Sequence, residues 1–241
     1  LIARSSVLMI EGRIEECITT LEKAALLSPK DARVFSDLSW AFIWLHRFPE
    51  AITAADRAIM LTPDQDWPYL YRGISYFTWK GPCPEARAAF NSVDHSYPWY
   101  FWTMYTMNVA EGNLDSAFAR VAALPDGWDI RKTEVTPAAL FEAFLYQHKG
   151  DHALARKKYE EAVVLLEKEL PAHPDNARYH SALGMALAGA GQKERAIEMG
   201  LKATELLPYA KDVGYGVCPI YDLAVTYTLT GEFDKAFAQL D

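Results

Sequence analysis

His148 and His152 stand four residues apart, the spacing that sets two imidazoles on one face of a helix and could begin a metal site. Lys149-Gly150-Asp151 lies between them and reads as a turn, so the two rings are expected on different elements. His95 and His173 have no cysteine or carboxylate at ligand spacing, and His46 reads as another turn residue. Glu15 with Glu16, and Glu160 with Glu161, are adjacent on helices and diverge by about 100° per residue, so neither pair can work as acid and base on one substrate. Nothing near Cys17 would activate its thiol, and Gly12, Gly73 and Gly184 are spaced as turns and close helix contacts instead of a phosphate loop. These residues imply no catalytic group, no metal and no cofactor, so the chain reads as a binding protein and not an enzyme.

The elements that carry these residues repeat. Ile14, Ala24 and Pro29 recur 34 residues later as Phe48, Ala58 and Pro63, so one helical hairpin is used again and again in place of a single closed core. Of the 241 residues, 51% are hydrophobic and 13% aromatic, enough to line a continuous inter-helix core with apolar side chains left for a surface. A net charge of -8 repels phosphate backbones, which argues against nucleic acid as partner. No run approaches the roughly 20 apolar residues of a membrane-spanning helix, so no membrane insertion is expected. Cys17, Cys83 and Cys218 are odd in number and widely spread, which suggests neither a disulfide framework nor a metal knuckle and fits a reducing, cytoplasmic location. The chain opens with Leu1 and no signal pattern, and both of its ends fall inside repeat units, as in a domain cut from a longer polypeptide.

Turn glycines followed by small positions mark the hairpins: Gly12 with Cys17, Gly112 with Ala117, Gly150 with Ala155 and Tyr159, Gly191 with Ala196, Gly231 with Ala236. Together with Tyr69-x2-Arg72-Gly73-x2-Tyr76 and His180-x2-Leu183-Gly184-x2-Leu187, followed by Ala203 and Pro208, this resembles the tetratricopeptide repeat. The resemblance implies an all-α, right-handed superhelix of antiparallel helix pairs. About seven are expected, near 1 to 27, 32 to 61, 66 to 94, 98 to 124, 137 to 170, 177 to 207 and 217 to 241. Residues 1–124 are expected as an amino-terminal array, 125–136 as an irregular linker and 137–241 as a carboxy-terminal array. Gly150 to Gly191 is seven residues longer than a repeat, and Val163 to Leu170 reads as helix throughout; Tyr209 to Gly214 reads as a loop. His180 takes the large aromatic slot of its repeat and is expected to be packed. From His173 to Ala224 the chain also resembles the repeat region of bacterial signalling proteins, in which the repeats follow a kinase, a nucleotide cyclase or a winged-helix domain.

In such arrays the first helix of each pair lines the concave face, and the register predicts which side chains enter the groove. It selects Arg33, Ser36, Asp37, Trp40, Ile43 and Trp44 in the second pair and Trp67, Leu70, Tyr71, Ile74 and Phe77 in the third. In the fourth it selects Trp99, Trp102, Thr103 and Thr106, and in the fifth Leu140, Phe141 and Phe144. Arg33, Asp37, Trp40, Trp44, Trp67, Tyr71, Phe77, Trp99, Trp102, Thr106 and Phe144 are the candidate partner-binding residues. Aromatic rings give large contact area at low entropic cost, although rings at helical spacing serve a core equally well. The family's Lys and Asn clamp for a chaperone carboxylate is not matched, because Ser36 and Trp40, then Leu70 and Ile74, stand at its positions. The expected partner is a protein or peptide. The alternative is a homo-oligomer whose self-association controls an attached kinase, cyclase or DNA-binding domain.

Overall fold

The computed structural model describes residues 1–95, 97–125, 128–130, 135–211 and 215–240. Two compact units divide it, Leu1–Asn113 and Leu114–Asp241. The first holds α1 (Ile2–Ile10), α2 (Ile14–Leu27), α3 (Ala32–Trp44), α4 (Phe48–Leu61), α5 (Asp66–Lys80), α6 (Pro84–Asn91) and α7 (Pro98–Ala110). The second holds α8 (Leu114–Ala122), strands β1 (Trp128–Ile130) and β2 (Val135–Pro137), α9 (Ala138–His148), α10 (His152–Glu169), α11 (Ala177–Gly189), α12 (Lys193–Leu206), α13 (Val217–Leu229) and α14 (Phe233–Ala238). Within each unit a helix packs on the next one along the chain. First helices of neighbouring pairs also touch directly, as α3 does α5 and α11 does α13. This is an all-α helical repeat fold.

One turn recurs because one hydrogen bond does. The amides of Arg13, Arg47, Asn113, Asp151, Gln192 and Glu232 each donate to a carbonyl five residues back, on Leu8, Phe42, Asn108, Tyr146, Leu187 and Tyr227, at 2.8–2.9 Å. This bond closes a helix end only when the residue before the donor is left-handed. Glycine supplies that conformation in five of the six turns, with φ between 72° and 85°. In the second pair His46 adopts it at φ 55°, its ring stacked on Phe48 at 5.7 Å. Side chains cap the starts of α3, α10 and α11: Asp31, Asp151 and Asn176 each accept a first-turn amide at 3.1 Å.

The small positions are small because helices cross there. Cys17, Ala117, Ala155, Ala196 and Ala236 are all buried, and burial pushes the Cys17 thiol up to about 11. In the first unit Leu8, Leu21, Val34 and Leu38 form one core, and Leu70, Phe90, Met104 and Met107 another. In the second, Leu140, Tyr159, Leu166, Leu183 and Leu187 form the main core, and Leu223 with Tyr227 a smaller one. Each fully buried leucine contributes about 1.5–3 kcal/mol. The seven-residue excess after Gly150 is helical as expected: α10 runs unbroken to Glu169, and a 3-10 turn at Leu170–Ala172 ends it.

Residues 125–136 depart from the irregular linker expected there. Trp128, Asp129 and Ile130 pair antiparallel with Pro137, Thr136 and Val135, and Val135 is buried in the main core of the second unit. Residues 126, 127 and 131–134 lie outside the described residues, as do 212–214 of the expected loop after Pro208. His180 is packed as expected, its Nε2–H donating to the Pro174 carbonyl at 2.8 Å.

Candidate functional site

The candidate residues on α3 are Arg33, Asp37, Trp40 and Trp44, which fall on one face of the helix. Trp67 and Tyr71, four apart on α5, face them. Trp44 meets Trp40 edge-on with ring centroids 5.9 Å apart, and Trp40 stacks on Tyr71 at 5.1 Å and 26°. Tyr71 lies against Trp67 at 5.9 Å, and Trp67 meets Tyr97 edge-on at 5.1 Å. Five rings thus run without a break across α3, α5 and the residue that precedes α7. The two ends of α3 and α5 nearest solvent keep their indoles open: Trp67 is 43% exposed and Trp44 37%. Tyr97 is more deeply set, and burial, with the charge of Asp66, pushes its hydroxyl well above the usual phenol range.

Beside the rings a cleft of about 580 Å³ opens between the first turns of α3 and α5. Arg33, Ser36 and Asp37 form one wall, Trp67, Pro68 and Tyr71 the other, and Lys30, Asp31, Thr62 and Gln65 close its end. Arg33 Nε stands 3.8 Å from Asp37 Oδ2, too far for a hydrogen bond, and the Arg33 side chain is 70% exposed. The Asp37 carboxyl is therefore held above the usual carboxylate range: desolvation raises it, Arg33 offsets part of the shift, and Asp31 adds to it. An acid with a raised folded pKa holds its proton longer in the folded state, so stability is full below the ordinary aspartate value of 3.8 and falls as pH rises through the folded value. Asp37→Asn is expected to raise the melting temperature at pH 7 and to leave it unchanged near pH 3, read by circular dichroism at both.

The remaining candidates lie on α5, α7 and α9. Trp99 and Trp102 form their own edge-on pair on α7 at 6.4 Å, and the Thr106 hydroxyl donates to the Trp102 carbonyl at 2.9 Å. Phe77 packs against the core of Leu70 and Phe90. Phe144 belongs to the second unit, where it packs on the main core and meets Tyr159 edge-on at 5.8 Å. Four other positions of the register do not reach a groove: Leu70, Thr103, Leu140 and Phe141 are buried. Leu70 packs with Phe90 and Met104, and Leu140 with Ala155 and Tyr159. The register names a direction along an isolated helix, whereas the neighbouring helices decide what covers it.

Tyr97 and the cleft's end residues Lys30, Thr62 and Gln65 were not among the candidates, because they sit in the connections between helices. The Tyr97-Pro98 step, a proline opening a helix, is the sequence signal for Tyr97. His148 ends α9 and His152 begins α10, with Gly150 at φ 80° between them. Among the described residues no group of three or more His, Cys, Asp or Glu could hold a metal ion, and no helix is long and apolar enough to cross a membrane.

Paired helices, left-handed turn glycines and small crossing residues define the class as a helical-hairpin repeat protein. The tetratricopeptide repeat family profile matches residues 136–208, within the second unit. The chain is similar in structure to a tetratricopeptide repeat protein from Parabacteroides merdae ATCC 43184, with a TM-score of 0.60 at 16% identity over 92% of this chain and 81% of that one. Pseudomonas aeruginosa pilF gives a TM-score of 0.50 at 19% identity over 86% and 90%. The APC/C hetero-tetramer Cut9–Hcn1 gives 0.53 at 12% identity, covering 98% of this chain but 47% of that one. At these identities the likeness shows the fold. None of the curated proteins matches the sequence. Tetratricopeptide folds generally serve as scaffolds for contacts between proteins.

Proposed function

We propose that the first unit binds a peptide or protein segment along the rings of α3 and α5, as a module of a bacterial regulatory protein. The five-ring run carries this reading. Trp44, Trp40, Tyr71 and Trp67 present amphipathic faces held in place by one another, so a ligand meets them at little cost in side-chain ordering. The bacterial regulatory setting is supported by the motifs from His173 to Ala224. A random peptide library displayed on phage and panned on the complete chain tests the site. Peptides retained by the parent protein are expected to lose at least tenfold in affinity for a Trp40→Ala, Trp44→Ala variant whose helicity is intact. Equal retention by both proteins, or no retained peptide, rejects the reading.

A second reading is self-association. Phe233 and Phe237 are exposed four residues apart on α14, at 58% and 69%, and Tyr221 is exposed on α13. On that reading the sedimentation mass rises with concentration and is held at one chain by Phe233→Lys, Phe237→Lys. A constant single-chain mass for the parent protein dismisses it.

A further inference from the structure

We infer that the cleft between the first turns of α3 and α5 takes a cationic side chain of the partner segment, an arginine or a lysine, held between the Asp37 carboxylate and the exposed indole of Trp67. The inference rests on the peptide-binding reading and names the chemistry that the peptide must bring. Asp37 shares one cleft with Trp67 and Tyr71, whose ring centroids are 5.9 Å apart at 39°. Aromatic faces carry negative quadrupole charge, so rings beside a carboxylate favour a cation, and a guanidinium can stack and pair at once.

The charges already in the cleft leave that place open. Asp31 Oδ1 accepts the Arg33 amide, so this carboxylate serves the first turn of α3. Lys30 lines the same end of the cleft. Arg33 is the cation nearest Asp37, but at 3.8 Å and 70% exposed it forms a loose surface pair worth little, and it can swing to solvent when a better-placed cation arrives. Desolvation holds the Asp37 carboxyl above the usual carboxylate range despite Arg33, and a second cation would lower it again. The cleft, about 580 Å³, has room for a long aliphatic stem and its charged head.

The experiment uses peptides retained by the complete chain, titrated against it by tryptophan fluorescence. Retained peptides are expected to share an arginine or lysine. Replacing that residue by norleucine, or changing the protein by Asp37→Asn, weakens binding at least tenfold, while the two changes together cost no more than either alone. Binding that survives Asp37→Asn and norleucine but is lost in Trp40→Ala, Trp44→Ala overturns the cation site and leaves the aromatic surface standing. Acidic peptides that depend on Arg33 overturn it in the opposite sense. If no peptide is retained, the surface and the cation site fall together. Asp37→Asn keeps shape and removes charge, and its helicity and melting temperature are checked alongside.

Discussion

Tyr159→Ala is expected to cost about 3–5 kcal/mol, the range for emptying a large aromatic site in a core. Tyr159 lies on α10, is 1% exposed, and meets Phe144 edge-on at 5.8 Å. Its ring occupies the space beside Gly189 of α11, where an added Cβ would sit 2.3–2.4 Å from ring carbons. Its hydroxyl donates to Gln147 Oε1 at 2.6 Å, and burial holds its pKa well above the usual phenol range. Tyr159→Phe removes only that bond and is expected to cost about 1 kcal/mol. The Gly189 contact gives a sharper check through a double-mutant cycle in urea. Gly189→Ala alone forces the ring aside and costs about 1–3 kcal/mol. In the Tyr159→Ala background the same methyl enters empty space, and the alanine's better helix propensity, worth up to about 1 kcal/mol and less at this last residue of α11, makes the change neutral to stabilising. A cost that is equal in both backgrounds means that the ring is not what Gly189 makes room for.

The fold was readable from the sequence where one residue type had one physical job. Gly12, Gly112, Gly150, Gly191 and Gly231 mark the hairpins because the recurring five-back hydrogen bond needs a left-handed residue before its donor. His46 shows how far that signal carries. The second pair keeps the bond without glycine, and its bounds were still found from the recurrence of Ala24 and Pro29 as Ala58 and Pro63. The pairing of 128–130 with 135–137 was not readable, because three-residue strands carry too few residues for alternation to show and Pro125 and Pro137 signal only a break. The candidate surface was readable in part. Trp40, Trp44, Trp67 and Tyr71 do come together, since their spacing along α3 and α5 sets one face. Leu70 and Phe141 share the same register yet are buried, and the cleft draws on Lys30, Thr62 and Gln65 from the connections, whose path no helical period describes.

Gly184 faces the crossing of α11 with α12 and Gly200 that of α12 with α13, and they are expected to respond differently to substitution, because one meets backbone and the other a side chain. A Cβ on Gly184 of α11 would lie 3.1 Å from the Gly200 amide nitrogen and 3.2 Å from the Ala196 carbonyl oxygen, both on the α12 backbone. Those atoms belong to a hydrogen-bonded helix and cannot turn away, so the two helices must part. Gly184→Val adds two further methyl groups at this point. It is expected to cost about 1–3 kcal/mol through overpacking, with little return in helix propensity. A Cβ on Gly200 would meet the Leu223 Cδ1 methyl of α13 at 2.7 Å, with nothing else nearer than 3.8 Å. Leucine can change rotamer to give way, and the alanine's propensity gain of about 1 kcal/mol offsets that adjustment, so Gly200→Ala is expected to be nearly neutral. Urea midpoints of the two variants measure the difference. If Gly200→Ala is as costly as Gly184→Val, Leu223 is too tightly held by Tyr227 and Ala236 to yield, and side-chain packing on α13 limits the approach of α12 as firmly as backbone contact limits that of α11.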